Sequence, residues 1–256
     1  MSTSVESSAP PARAEAVPTE AFASPWQPAD RQLSRWGGRA GIAGVILMIG
    51  AVGVVVGMGL PDASDVETLT DFADIETGRI VEHFFYLGAV VMFALHALAL
   101  QRLLARANPA AALFGAALAA FGYVAMAASA VLHVSTAPLA ELYTSPDTPS
   151  GDLPSIEYSW HAAQSVFDTM LATGLLLVPS GIMLLGIAML NSPSFGPRLG
   201  WFAVVMGALG LAGAAIEVIE PDLEFSAFSV LAIVVFHLAA GVRTVKLGGR
   251  AVEPAR

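Results

Sequence analysis

Six apolar stretches dominate this chain, and each is long enough to cross a bilayer. They lie at about residues 41–60, 80–103, 110–134, 159–190, 199–219 and 225–245. A hydrocarbon core of about 30 Å needs about 20 helical residues at about 1.5 Å each. No water in that core can satisfy a free amide or carbonyl, so apolar runs of this length become helices. The expected fold class is all-α, a six-helix transmembrane bundle. The composition agrees: 55% of residues are hydrophobic and only 13% are charged, outside the range of soluble proteins.

The flanks divide the chain. Residues 1–37 are rich in Ser, Ala, Pro and Glu and show no apolar period, so they read as a disordered cytoplasmic tail. They lack the layout of a secretory signal, in which an apolar core follows a short basic start. Residues 38–248 form the membrane domain, and 249–256 a second short cytoplasmic tail. The fourth stretch is too long for a simple span. It must tilt, kink at Pro179, or project its polar start beyond the bilayer.

The two signs of charge are segregated. Arg13, Arg31, Arg35 and Arg39 precede the first span, and Arg102 and Arg106 follow the second. Arg198 lies between the fourth and fifth, and Arg243, Lys246 and Arg250 end or follow the sixth. The alternate loops hold Asp62, Asp65, Glu67, Asp71, Asp74 and Glu76, then Glu141, Asp147, Asp152 and Glu157, then Glu220, Asp222 and Glu224, with Arg79 as the exception. The positive-inside rule then puts both termini in the cytoplasm of a cell membrane. Trp36 and Trp201 fall at the inner interface, and Tyr158 and Trp160 at the outer one, as an aromatic belt predicts.

Several chemistries are closed off. Without cysteine there are no disulfides, thiolate metal sites, iron–sulfur clusters or c-type haem. No basic domain points to nucleic acid, so the lipid bilayer is the expected partner. Gly53-x-x-x-Gly57 and Gly196-x-x-x-Gly200 are small-residue motifs that let helices approach. In a chain this rich in Gly and Ala, intrachain packing outweighs a dedicated homo-oligomer face.

Residues 180–213, SGIMLLGIAMLNSPSFGPRLGWFAVVMGALGLAG, resemble a bacterial family of uncharacterised polytopic membrane proteins. The shared features are a Gly-containing helix, the Pro197-Arg198 step, and a second Gly-rich helix. The opening Arg39-Ala-Gly-Ile-Ala-Gly-Val is similar to that family's first helix. The resemblance covers parts of the first, fourth and fifth spans. It implies an architecture of about six helices and carries over no functional residue.

All five histidines fall within or at the ends of spans, where ionisable groups are costly and usually face the interior. By topology His83, His133 and His161 share the outer level, His96 lies in the inner half, and His237 near the middle. Arg79, Glu82, His83 and Tyr86 share one face of the second span, and Ser129 and His133 one face of the third. In the fourth span His161, Gln164, Ser165 and Asp168 lie within an arc of about 100°. Glu217 sits near the outer end of the fifth. Groups in the first turn of a span are often simply wet, and the Arg79–Glu82 pair is an ordinary i,i+3 contact.

The expected function is non-enzymatic: an outward-facing polar pocket that binds a cation or small ligand through Glu82, His83, Tyr86, His133, His161, Gln164 and Asp168. A divalent transition metal would use His83, His133, His161 and Asp168, although no compact metal motif is present. A second reading is a b-type haem protein, with His83 paired to His133 or His161 and an inner pair of His96 and His237. Against stacked haems, His83 and His96 are 13 residues apart, which turns them about 140° around the helix. A third reading is a small transporter or proton-coupled carrier, with Pro179, Gly174 and Gly181 breaking the fourth span and His96 and His237 relaying protons. A membrane hydrolase lacks a nucleophile motif. A non-catalytic scaffold or accessory subunit needs only the packed bundle.

Overall fold

A computed structural model describes residues 28–61, 68–220 and 225–249. Seven helices fill these segments: α1 (Pro28–Met58), α2 (Leu69–Leu104), α3 (Pro109–Val134), α4 (Ala137–Thr144), α5 (Leu153–Leu190), α6 (Pro197–Ile219) and α7 (Ser226–Gly249). All but α4 are long and apolar enough to cross a membrane. Each spanning helix packs on the next in chain order, and α7 returns to pack on α1, so the six close into a ring. α2 also reaches across to α5 and α7. The chain is an integral membrane protein with an all-α six-helix bundle.

Local chemistry sets the helix starts. Thr68 Oγ1 accepts from the Asp71 amide at 3.1 Å at the N-cap of α2. Asn108 Oδ1 accepts from the Ala111 amide at 3.1 Å before α3, with Pro109 in its first turn. Gly59 and Gly196 hold φ of 63° and 81°, a left-handed backbone that favours glycine, where the chain leaves α1 and enters α6.

The spans agree with expectation except at their ends. α1 begins at Pro28, so residues 28–37 are helix where a disordered tail was expected; residues 1–27 lie outside the described segments. The reason is tertiary. Ser34 Oγ donates to the Thr244 carbonyl at 2.5 Å, and Arg35 Nε donates to the Gly248 carbonyl at 2.8 Å. Gly38 lies against Gly241. α7 thus holds the polar start of α1 in place, and it runs on to Gly249. Residues 250–256 of the expected second tail also lie outside the described segments.

Length decides what lies outside the hydrocarbon. α5 has 38 residues, about 57 Å of helix, against a core of about 30 Å. Counting about 20 residues back from Leu190 puts the far edge of the hydrocarbon near Met170. The same count from Leu104 puts it near Phe85 on α2, and from Pro109 near Ser129 on α3. The leading parts of α2 and α5 therefore project past the bilayer on the acidic side. There they join α4 around a small separate core of Leu69, Phe72, Ala137, Ala140 and Trp160. Trp160 is 1% exposed inside this cap rather than in an interfacial belt, whereas Tyr158 is exposed.

Of the expected motif glycines only Gly200 makes a close helix contact. A Cβ on Gly53 or Gly57 would meet nothing within 4 Å. Gly196 is a loop residue, while Gly200 packs against Leu190 and Gly186. The tight α3–α5 seam is built from Gly115 and Gly122 on one side and Gly174 and Gly181 on the other, each facing backbone atoms of the partner helix. Lipid tails are as apolar as the side chains, so this contact, not burial from water, joins the two helices.

Candidate functional site

Polar side chains collect at two levels. The upper one lies at the acidic end of the hydrocarbon. Arg79 is 2% exposed and Glu82 15%. Arg79 Nη1 donates to Glu82 Oε2 at 2.9 Å, and its Nη2 donates to the Pro61 carbonyl. His83 Nδ1 lies 3.0 Å from the Arg79 carbonyl, which can only accept, so Nδ1 carries the proton. The same nitrogen is 3.3 Å from Glu82 Oε2. The Glu82 carboxylate is therefore compensated by a guanidinium and an N–H.

The His83 ring packs on His133 with centroids 4.7 Å apart, and Phe72 and Phe167 flank His133 at 5.4 and 4.6 Å. His133 and Ser129 are both buried, and Ser129 Oγ donates to the Met126 carbonyl at 2.8 Å. Four buried polar atoms at this level have no protein hydrogen-bond partner: Arg79 Nε, Tyr86 Oη and both His133 nitrogens. Such groups in a native interior are normally satisfied by water or a ligand.

A cavity of about 590 Å³ opens below this level between α1, α2, α5 and α7. Its upper rim holds Arg79, Glu82, His83, Tyr86 and Ser129. Its walls are apolar, with Met48, Val52 and Val55 of α1, Leu171 and Leu175 of α5, and Val230 and Val234 of α7 among them. Ile49, Val52 and Leu231 line it and are also exposed on the outer surface of the bundle. The cavity is thus open to the outside of the bundle on the side of α1 and α7.

The lower level joins three helices. His96 Nδ1 and His237 Nδ1 are 2.8 Å apart, and Tyr123 Oη and His237 Nε2 are 2.6 Å apart. All three residues are at most 2% exposed. Phe93 stacks on the His237 ring at 4.2 Å, and Gly41 of α1 leaves room for the His96 ring. His96 Nε2 has no protein partner.

The structure brings some expected residues together and separates others. His83, Glu82, Tyr86 and His133 converge, and so do His96 and His237. His161 and Asp168 do not join them, because both are exposed on α5, while Gln164 turns inward. In this projecting stretch water is the solvent. The helix therefore buries its Trp160–Phe167–Leu171 face and turns the polar arc out, as a soluble helix does. Glu217 accepts from the Ser226 amide at 2.9 Å at the start of α7 and serves as a cap. Among the described residues no group of three or more His, Cys, Asp or Glu is placed to hold a metal ion. The expected four-ligand metal set, His83, His133, His161 and Asp168, is not assembled.

The separation of His83 and His96 around α2 has a structural counterpart. His83 faces His133 of α3 and Phe167 of α5, whereas His96 faces α1 and α7. Both stay buried because α2 has neighbours on several sides. Tyr123 was not singled out from sequence. Its signal was there: a lone hydroxyl amid Ala and Gly, about 14 residues into a span, must find a partner.

A family model described as a domain of unknown function (DUF4386) matches residues 40–245. No curated protein and no solved structure matches the chain. The match spans the bundle from α1 to α7 and assigns no role to any residue.

Proposed function

We propose that this chain, which belongs to the DUF4386 family, binds a small amphiphilic molecule within the membrane. The observation that carries the reading is the cavity of about 590 Å³, apolar along its walls and polar at one end. Ligand sites commonly enclose about 300–1,000 Å³, with a few polar groups among apolar ones. An amphiphile would lie with its apolar body between α1 and α7 and its head at Arg79, Glu82, His83 and Tyr86. The side opening favours entry from the lipid. The unpartnered Tyr86 Oη favours a head that carries an acceptor oxygen.

A bare cation fits less well. Glu82 already answers Arg79, and Asp168 faces away from the cavity, so no uncompensated negative charge lines it. Under the positive-inside rule the polar rim faces out of the cell and both termini face in.

The test is the amphiphile that co-purifies. Solvent extraction and mass spectrometry should find it near stoichiometric in the wild type. Val230→Trp, which fills the cavity wall, should lose it while eluting as the wild type does. Tyr86→Phe should weaken retention about fivefold, the worth of one hydrogen bond of about 1 kcal/mol. Equal amounts of every amphiphile in wild type and Val230→Trp would refute the reading.

A further inference from the structure

We infer that Arg31, Arg35 and Arg39, with Trp36, form a binding site for the phosphate of an anionic phospholipid in the leaflet at the basic end. The site lies at the opposite end of the bundle from the cavity rim, and it does not require the cavity to hold an amphiphile.

Helical spacing makes the site. At about 100° per residue, Arg31, Arg35 and Arg39 fall within about 80° of one face of α1. Gln32 and Trp36 border that face, and the five side chains line a groove of about 430 Å³. The groove lies opposite the face that α1 packs on α2, where Gly37, Gly41 and Gly44 meet Ala99, His96 and Phe93. Arg35, Trp36 and Arg39 are accordingly exposed, Trp36 by 62%.

Depth decides what covers the groove. Gly37 is level with Ala99 and Gly41 with His96, so Arg39 stands about one helical turn nearer the bilayer centre than Arg102. Arg31 lies about 12 Å further out along α1. The groove therefore runs from the edge of the hydrocarbon through the headgroup layer. An outward face at that depth meets lipid, and an exposed tryptophan belongs at that boundary.

Charge decides which lipid. Among the described residues none of the three arginines has an ion-pair partner, and Asp30 beside them is taken by Arg106 at 3.4 Å. Three like charges one turn apart repel one another. A guanidinium on a lipid-facing surface near the hydrocarbon is costly unless an anion meets it. Arg35 Nε donates to the Gly248 carbonyl at 2.8 Å, and the Arg39 guanidinium lies 5.5 Å from the centre of the Trp36 ring. Both contacts orient a guanidinium, and neither neutralises it. The planar guanidinium fork matches two oxygens of one phosphate. The indole offers a flat amphipathic surface to the glycerol and the top of an acyl chain. Basic clusters just outside a span recognise anionic headgroups in this way. Arginines that merely reach for water could be spread around the helix. They would not need to share one face with a tryptophan.

The test uses the full chain in phosphatidylcholine vesicles that hold a small fraction of phosphatidylglycerol brominated high on its acyl chain. Bromine quenches a tryptophan that it touches. Brominated phosphatidylglycerol should quench more than the same fraction of brominated phosphatidylcholine, and Trp36→Phe should remove the excess. Each arginine near an anionic surface is worth about fivefold in affinity. Arg39→Gln should therefore need about five times as much phosphatidylglycerol for the same excess, and Arg31→Gln combined with Arg39→Gln about 25 times. Among the described residues neither side chain makes a hydrogen bond, so both variants should elute as the wild type does. Arg31→Gln alone decides the matter if Arg39→Gln does not fold. Arg198→Gln, exposed at the basic end but outside the groove, should bind as the wild type does. Inorganic phosphate should leave the excess unchanged, and its displacing the lipid would overturn a lipid as the occupant. No excess in the wild type, an excess that survives Trp36→Phe, or equal losses in Arg39→Gln and Arg198→Gln would overturn the site.

Discussion

Gly181→Ala should loosen the bundle at its α3–α5 seam. An alanine Cβ there would sit 2.5 Å from the Gly115 carbonyl oxygen and 2.6 Å from the Ala119 nitrogen. Ordinary carbon contacts lie at about 3.5–4.0 Å, so the helices must part by about 1 Å. Both opposing atoms are main chain, and no side-chain rotation can relieve them. A Cβ on Gly122 would likewise sit 2.9 Å from the Val178 nitrogen, so the same seam is in close contact there and parting the helices forfeits it. Overpacking of this kind costs about 1–3 kcal/mol. Alanine returns about 0.5–1 kcal/mol of helix propensity. The net loss of about 1–2 kcal/mol raises the unfolded fraction about tenfold. Gly53→Ala supplies the contrast. Its Cβ meets nothing, so only the propensity gain remains and the protein should be unchanged or slightly steadier. Reversible SDS unfolding in mixed micelles, read by tryptophan fluorescence, measures both. Equal midpoints for the two variants would refute the packing argument.

Glu82→Gln leaves the buried Arg79 guanidinium with a neutral neighbour. It should destabilise the protein by about 3 kcal/mol in the same unfolding assay, more than a surface ion pair would. Trp160→Ala hollows the small cap core and should cost about 3–5 kcal/mol there. Limited proteolysis should then cut the chain between α4 and α5 while the spans remain intact. For orientation, an impermeant thiol reagent applied to intact cells should label a cysteine at Ser150 and miss one at Ser8; the reverse pattern would invert the topology.

Much of the fold was legible because the bilayer imposes one length and one hydrogen-bonding rule. Six spans, their order and their approximate ends follow from apolar runs of about 20 residues. The short α4 escaped notice because eight residues carry too little periodicity to stand out, although Thr136 and Pro138 mark a helix start. The start of α1 was missed for a different reason. Its helicity depends on Ser34 and Arg35 reaching carbonyls of α7, some 210 residues away in sequence.

The site was legible in part. Depth arithmetic placed His96 near His237, and His83 near His133, because helix rise and alternating direction determine level. Depth alone also suggested that His161 and Asp168 belong with them. That inference applied the membrane rule, polar side chains inward, to a stretch that projects into water, where the rule reverses.

What the sequence by itself determined is the solvent each segment meets: which runs are apolar enough for lipid and which loops carry each sign of charge. Tertiary structure alone decided which faces meet. The ring closure of α7 on α1, the α3–α5 glycine seam, the cavity and the link from His237 to Tyr123 all depend on the rotation of each helix about its axis. A period of 3.6 residues offers several ways to turn a helix rich in Ala, Gly and Leu. Close packing against neighbours selects one.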